Sequence, residues 1–298
     1  MQKQEKMKKR SPVGTALLVI LLLIGWGILL YPTLSDLWNT YRNSRIITHY
    51  KKAVSDTPDD KMVQMFEAAR QYNLEHKANT VFDAFNTEQE ALRHPYDELL
   101  NPAGDGIMGY LDVPGINLQV PIFHGVGAKG LERGCGHLQG TSLPVGGASS
   151  HAVMAAHRGL PSAKLFTDLD QVKVGDTFYI HVLHETLAYQ VDCIKTVLPE
   201  ESGALEIEQG KDIVTLLTCT PYGVNSHRLL VMGSRVSYQP EKAQKEAPSI
   251  QRDPRIYLLI SGSAAALLIM IGLLYSGKRK KKKLAEKQRY EREDGENA

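Results

Sequence analysis

A thiol at the end of a strand, next to a turn, can be held rigidly and still be reached, and Cys219 stands at such a position. The run Ile213-Val214-Thr215-Leu216-Leu217-Thr218-Cys219 has strand alternation, with Ile213, Thr215, Leu217 and Cys219 on one face. Pro221, Gly223 and Asn225 then turn the chain. A nucleophile needs such placement, whereas a structural thiol needs only apolar neighbours. The thiolate is the reactive form, so a nucleophilic role requires a partner that lowers the thiol pKa or accepts its proton.

The chain holds ten histidines. His49, His76 and His94 precede the strand-rich region, and His181 and His184 flank a hairpin. His157 closes the apolar strand Ala152-Val153-Met154-Ala155-Ala156, and His227 lies close to Cys219 in sequence. Periodicity leaves both as candidate bases. Arg228, nine residues after Cys219, opens the next strand. If the two strands pair, its guanidinium lies near the thiol and could stabilise an oxyanion; the plainer role is a surface salt bridge. His151 and His157 can share a face, but no further ligand follows at useful spacing and no Gly-rich phosphate loop is present. No metal and no cofactor are expected.

These residues sit where the hydrophobic period is two. Strands are expected near 109–113, 118–123, 150–157, 176–183, 186–197, 212–219 and 228–237, with a short helix at Ser162 to Asp170. Short, closely spaced strands with little helix predict a mainly β protein built on a closed barrel. Upstream, Asn39 to Val54 reads as helix. A second helix begins at Thr57-Pro58-Asp59-Asp60, with Thr57 as N-cap, and runs to about His76. Met62, Phe66, Ala69 and Asn73 mark its inner face. The expected layout is a basic tail (1–11), a membrane helix (12–31), and helices with a looser segment from Ala78 (32–105). The barrel (106–238), a Pro-containing linker (239–254), a second membrane helix (255–277) and a basic tail (278–298) follow.

The membrane assignments rest on Val13 to Tyr31 and Ile256 to Ser276, which carry no charge and are each about the length that crosses a bilayer as a helix. The net charge of +2 hides basic ends: Lys3, Lys6, Lys8, Lys9 and Arg10 before the first span, and Lys278 to Lys283 after the second. By the positive-inside pattern both termini lie in the cytoplasm and residues 32–255 lie outside; the tails could also meet anionic lipid. The part between the ends is mildly acidic, which argues against a nucleic-acid partner. Three cysteines is an odd number for an exported domain, so Cys135 and Cys193 are buried small residues or a pair.

Thr215-Leu216-Leu217-Thr218-Cys219 matches the T-L-x-T-C signature of sortases, and Arg228 falls where sortases place their arginine. His151 to Gly159 resembles the sortase histidine segment, which selects His157 over His227. HRGLPSAKLFTDL (157–169), TCTPYGVNSHRLLV (218–231) and ELLNPAGDGIMGYL (98–111) resemble class C sortases, the pilin polymerases of Gram-positive bacteria. The resemblance implies an eight-stranded sortase barrel with Cys219, His157 and Arg228 as catalytic residues. It also implies cleavage of an L-P-x-T-G-like signal after Thr, a thioacyl-enzyme and transfer to a pilin lysine. The partners would be L-P-x-T-G-bearing pilins or surface proteins. Asp83-Ala84-Phe85 is similar to the Asp-Pro-aromatic lid of class C, with Ala for Pro; His94-Pro95-Tyr96 is a second candidate. The rival readings are a sortase that anchors proteins to the wall, a surface thiol hydrolase and a non-catalytic scaffold.

Overall fold

The computed structural model describes residues 12–75, 96–241, 261–263 and 272. The chain divides into two compact units, residues 1–33 with 251–298, and residues 34–250. The second unit carries the site. Helix α1 runs unbroken over Pro12–Asp56, so the helix expected at Asn39 to Val54 is the second half of the helix that begins with the first apolar span. Pro32 lies inside it and cannot donate a backbone bond there, yet it does not end the helix. From residue 20 to 56 the helix is long enough to cross a membrane and contains an 18-residue window with a mean hydropathy of 1.7. Leu21, Leu23, Ile24, Ile28 and Leu29 are all exposed, a surface that suits lipid and not water. Of the second apolar segment only 261–263 and 272 are described, and all four are helical.

The rest of α1 presents Ile47, Tyr50 and Val54 at helical spacing to the core. The Tyr50 hydroxyl donates to the Met108 carbonyl at 2.9 Å and accepts from Leu183 N–H at 2.7 Å, tying the helix to two separate parts of the barrel. Helix α2 (Asp59–Glu75) buries Met62, Ala69, Tyr72 and Asn73, with Phe66 half-buried against the core. Thr57 does not cap α2; its hydroxyl donates back to Ala53 in the last turn of α1. Asn73 sits on an otherwise apolar face because its amide exchanges both hydrogen bonds with the Leu143 backbone, at 3.0 and 2.6 Å.

The barrel strands are β1 (Ile107–Val113), β2 (Leu118–His124), β3 (Cys135–His137), β4 (Ser150–Ala155), β5 (Thr177–Val182), β6 (Glu185–Val197), β7 (Asp212–Thr220) and β8 (His227–Val236). They close in the order β1-β2-β3-β4-β7-β8-β6-β5. Pairs β2–β3 and β4–β7 are parallel and the remainder antiparallel. Seven strands fall where alternation places them. The eighth, β3, has three residues, too few to show a period. The helix expected at Ser162 to Asp170 is a kinked 3-10 segment, Leu165–Gln171. Gly109 allows β1 to approach β5, since a Cβ there would collide with the His181 carbonyl oxygen.

The main core fills the barrel and the seam with α1 and α2. A second cluster, with Leu138, Val153, Ala155, Leu217, Leu230 and Met232, covers the opposite face of β4, β7 and β8. Continuous burial on both faces explains why β4 reads as an apolar run.

Asp112 on β1 is 8% exposed, with Oδ1 lacking a hydrogen bond and Oδ2 accepting from Gln119 at 3.5 Å. Desolvation pushes its carboxyl up to about 6, opposed by the Gln119 bond and the charge of Lys51. A folded-state pKa above the unfolded value means that ionisation costs stability as pH rises through that window. Asp112→Asn is therefore expected to raise stability at pH 7 by on the order of 1–3 kcal/mol and to change little at about pH 4. Thermal melts of both proteins at both pH values check this; identical melting at pH 7 would contradict it.

Candidate active site

The site is built on three adjacent strands, β4, β7 and β8. Val214 and Leu216 of β7 point into the main core, and Ile213 and Leu217 point into the second cluster. Alternation places Cys219 on the second face, at the edge of that cluster. It is 8% exposed and carries no disulfide; all three cysteines are free thiols.

On one side, β8 runs antiparallel to β7 with Cys219 paired to Arg228. Directly opposed residues share a face, with Cβ atoms about 4.5–5.5 Å apart. Arg228 is 9% exposed, and its Nη1 donates to the carbonyls of Asn225 and His227 at 3.1 and 3.2 Å. These bonds anchor the guanidinium to the backbone at the start of β8. His227 pairs with Thr220, which puts it on the opposite face from Cys219. Its Nδ1 lies 2.9 Å from Ser226 Oγ.

On the other side, β4 runs parallel to β7, in register from Ser150–Asp212 to Ala155–Leu217. Ala156 N–H donates to Leu217 O at 3.2 Å, carrying the ladder one step further. The same register continued by two residues sets His157 beside Cys219. Burial favours the neutral form of the His157 imidazole, while the charge of Glu132 favours the protonated form. The thiol thus stands on the middle strand, with Arg228 opposed on β8 and the residues that follow β4 on its other side.

Two threonines of the T-L-x-T-C run fasten this arrangement. Thr218 Oγ1 donates to the Ala156 carbonyl at 2.7 Å, immediately before His157. Thr215 Oγ1 meets His151 Nε2 at 2.7 Å, and His151 Nδ1 meets the Glu206 carbonyl at 2.8 Å. A carbonyl can only accept, so Nδ1 carries the proton and Thr215 donates to Nε2. Burial keeps this imidazole neutral, as the pattern requires. His151 shares a strand face with His157 but is a fastener for β7. The threonines are in the motif, yet alternation gave no sign of their partners, which lie on a strand distant in sequence.

The other thiols have different settings. Cys135 is wholly buried on β3, its Sγ 3.5 Å from the Pro121 carbonyl, and desolvation pushes its pKa up, away from reactivity. Cys193 is half-buried beside a bulge in β6 and pairs with Met232 of β8. Asp83 and Phe85 lie outside the described residues, as do His94 and Pro95. Tyr96 is no plug: it is 2% exposed in the core, accepts from Gly125 N–H at 3.0 Å and lies 2.8 Å from His137 Nδ1. A cavity of about 470 Å³ opens elsewhere, between the α1–α2 junction and the β5–β6 hairpin, and holds no thiol. Chemistry, not volume, marks the site. No group of three or more metal-ligating side chains occurs among the described residues.

The family model for the sortase domain matches residues 111–236, the barrel from β1 to β8. Sortase A of Bacillus anthracis is 26% identical over 186 residues, covering 62% of this chain and 85% of that protein. The structure superposes on sortase C1 of Streptococcus agalactiae with a TM-score of 0.60 and 45% identity, over 65% of this chain and 96% of that one. Sortase C of Streptococcus pneumoniae gives a TM-score of 0.59 and 40% identity over 65% and 97%. With that identity across nearly the full length of solved class C enzymes, joined to the matching domain model, the chain belongs to the sortase family of cysteine transpeptidases, in its class C branch.

Proposed function

We propose that this sortase polymerises pilin subunits, with Cys219 as nucleophile, His157 as acid–base partner and Arg228 as oxyanion donor. The observation that supports the residue roles is register: Cys219 pairs with Arg228 across β7 and β8, and the β4–β7 register, which ends at Ala155–Leu217, sets His157 beside Cys219 when continued by two residues. The substrate class rests on likeness, since identity is 45% to a sortase C1 and 26% to a sortase A. The pneumococcal relative is itself described in terms of pilin substrate specificity.

In this reading the Cys219 thiolate attacks the Thr carbonyl carbon of an L-P-x-T-G-like signal. The carbonyl oxygen takes the negative charge, and Arg228 stabilises it with donors fixed by its backbone bonds. The C–N bond to Gly breaks as His157 gives its proton to the leaving amine, and a thioester on Cys219 remains. A lysine amine of a second pilin subunit then attacks that thioester. His157 takes up the proton as the new amide forms and the thiolate leaves. The domain works outside the cell between two membrane helices, with both tails in the cytoplasm.

Incubating the full-length chain with a sorting-signal peptide tests transfer directly. Amide product is expected only when a lysine-bearing acceptor is present, and a product that is free acid whether or not amine is added would make the enzyme a hydrolase. His157→Ala is expected to lower turnover by about 10²–10⁴-fold or more, and His227→Ala far less. Equal losses in the two variants would remove the reason for choosing His157.

Arg228→Lys should lose nearly as much as Arg228→Ala, about 2.7–4 kcal/mol of transition-state stabilisation, because lysine keeps the charge but not the planar fork. Steady-state rates that stay normal in the lysine variant would reduce Arg228 to a generic charge. For topology, protease added to intact cells should remove residues 32–255 while a tag fused after Ala298 survives. Loss of that tag would reverse the second span.

A further inference from the structure

Arg158 follows His157, and Thr220 follows Cys219. The Arg158 side chain is only 9% exposed, deep burial for a guanidinium. Its Nη1 donates to Thr220 Oγ1 at 3.1 Å, and its Nη2 donates to the Asp170 carboxylate at 2.5 Å. Neighbours along a strand alternate faces, so Thr220 on β7 lies on the face of the sheet away from Cys219. The paired register of β4 and β7 ends at Ala155 and Leu217. The Arg158–Thr220 bond is therefore a side-chain rung beyond the ladder, one residue past the imidazole and the thiol.

Asp170 gives the rung a fixed support. It stands near the end of the 3-10 segment Leu165–Gln171, and the approach to that segment is held by α1. Asp36 Oδ1 accepts from Lys164 N–H at 3.0 Å, and Asn39 Nδ2 donates to the Ser162 carbonyl. Gly159, at φ +82°, turns the chain away directly after Arg158, with the Tyr222 ring packed where a Cβ would go. The Arg158 Nε is buried without a hydrogen bond. Nη1 and Nη2 each reach an acceptor while the buried Nε has none, so the guanidinium spans Thr220 and Asp170.

We propose that Arg158 is a positioning residue for the reaction, a clamp that bridges Thr220 and Asp170 and so sets the separation of His157 from Cys219. The proposal rests on the pairing of those two residues as base and nucleophile. In this role Arg158 acts through the imidazole. Proton transfer tolerates little displacement, and a shift of about 1 Å can cost about 10²-fold. A lysine offers one point charge and cannot span both acceptors.

The test uses the full-length chain in detergent, with Arg158→Ala, Arg158→Lys, Thr220→Val and His157→Ala. Two quantities are read: kcat and KM for a sorting-signal peptide with an amine acceptor, and the pH profile of Cys219 alkylation by iodoacetamide. Arg158→Ala is expected to lower kcat by about 10²-fold with KM little changed. Its alkylation midpoint should move to higher pH, toward an ordinary thiol, because the imidazole no longer stabilises the thiolate. Thr220→Val removes one hydroxyl at nearly constant volume and should show both effects in reduced form, and Arg158→Lys should not restore them. An Arg158→Ala profile matching wild type, while His157→Ala shifts it, would overturn the clamp and leave the pair standing. A profile unchanged in His157→Ala would remove the pair itself, and the clamp with it.

Discussion

The parallel pairing of β4 with β7 is the constraint on which the site depends. The two strands are far apart in sequence and meet only through the closed barrel. A slip of one residue would turn Cys219 from the outer face into the core. Two buried hydroxyls oppose that slip, Thr215 against His151 and Thr218 against the Ala156 carbonyl. Each such bond is worth about 0.5–1.5 kcal/mol net, but orphaning its buried partner costs about 1–3 kcal/mol. Register is therefore enforced more by the penalty for error than by the gain from being right.

Holding a thiol rigidly tends to bury it, and burial disfavours the thiolate. Cys135 shows the result without compensation: wholly enclosed on β3, its thiol is pushed up and kept neutral. Cys219 is nearly as buried but has Arg228 opposed to it on β8 and the strand end of His157 on its other side. A nucleophile on the middle strand, the role proposed for Cys219, meets partners from both flanking strands without a long loop. The surrounding elements keep that frame still: Tyr50 ties α1 to β1 and to the β5–β6 hairpin, while Asp36 and Asn39 tie it to the segment after His157.

Much of this was legible in the sequence, for reasons that differ from residue to residue. Strand β7 announced itself by alternation, and the turn after Cys219 by Pro221, Gly223 and Asn225. Period leaves His157 and His227 open, because both stand at strand ends, and the sortase resemblance selects His157. The strand pairing supports that proposal by putting His227 on the face away from Cys219. Strand β3 was missed because three residues cannot display a period. Thr57 was read as a cap from its place before Pro58, but its hydroxyl found the open end of α1 first. Tyr96, next to Pro95 in a candidate lid tip, is a core anchor whose hydroxyl partners are His137 of β3 and Gly125, the residue after β2. The β3 and Thr57 misses are local, a strand too short for a period and a hydroxyl bonded four residues back, while Tyr96 is held by segments distant in sequence.

The central claim is that Cys219, placed by register between an imidazole and a guanidinium, is the thiol that carries the acyl group. The most direct measurement is to mix the full-length chain with an L-P-x-T-G peptide at neutral pH, withhold any amine, quench with acid and locate the adduct by peptide mass spectrometry. The account predicts the peptide's acyl group, ending at Thr, as a thioester on Cys219, with Cys135 and Cys193 unmodified. An adduct on either of those two thiols, with Cys219 unmodified, would contradict it.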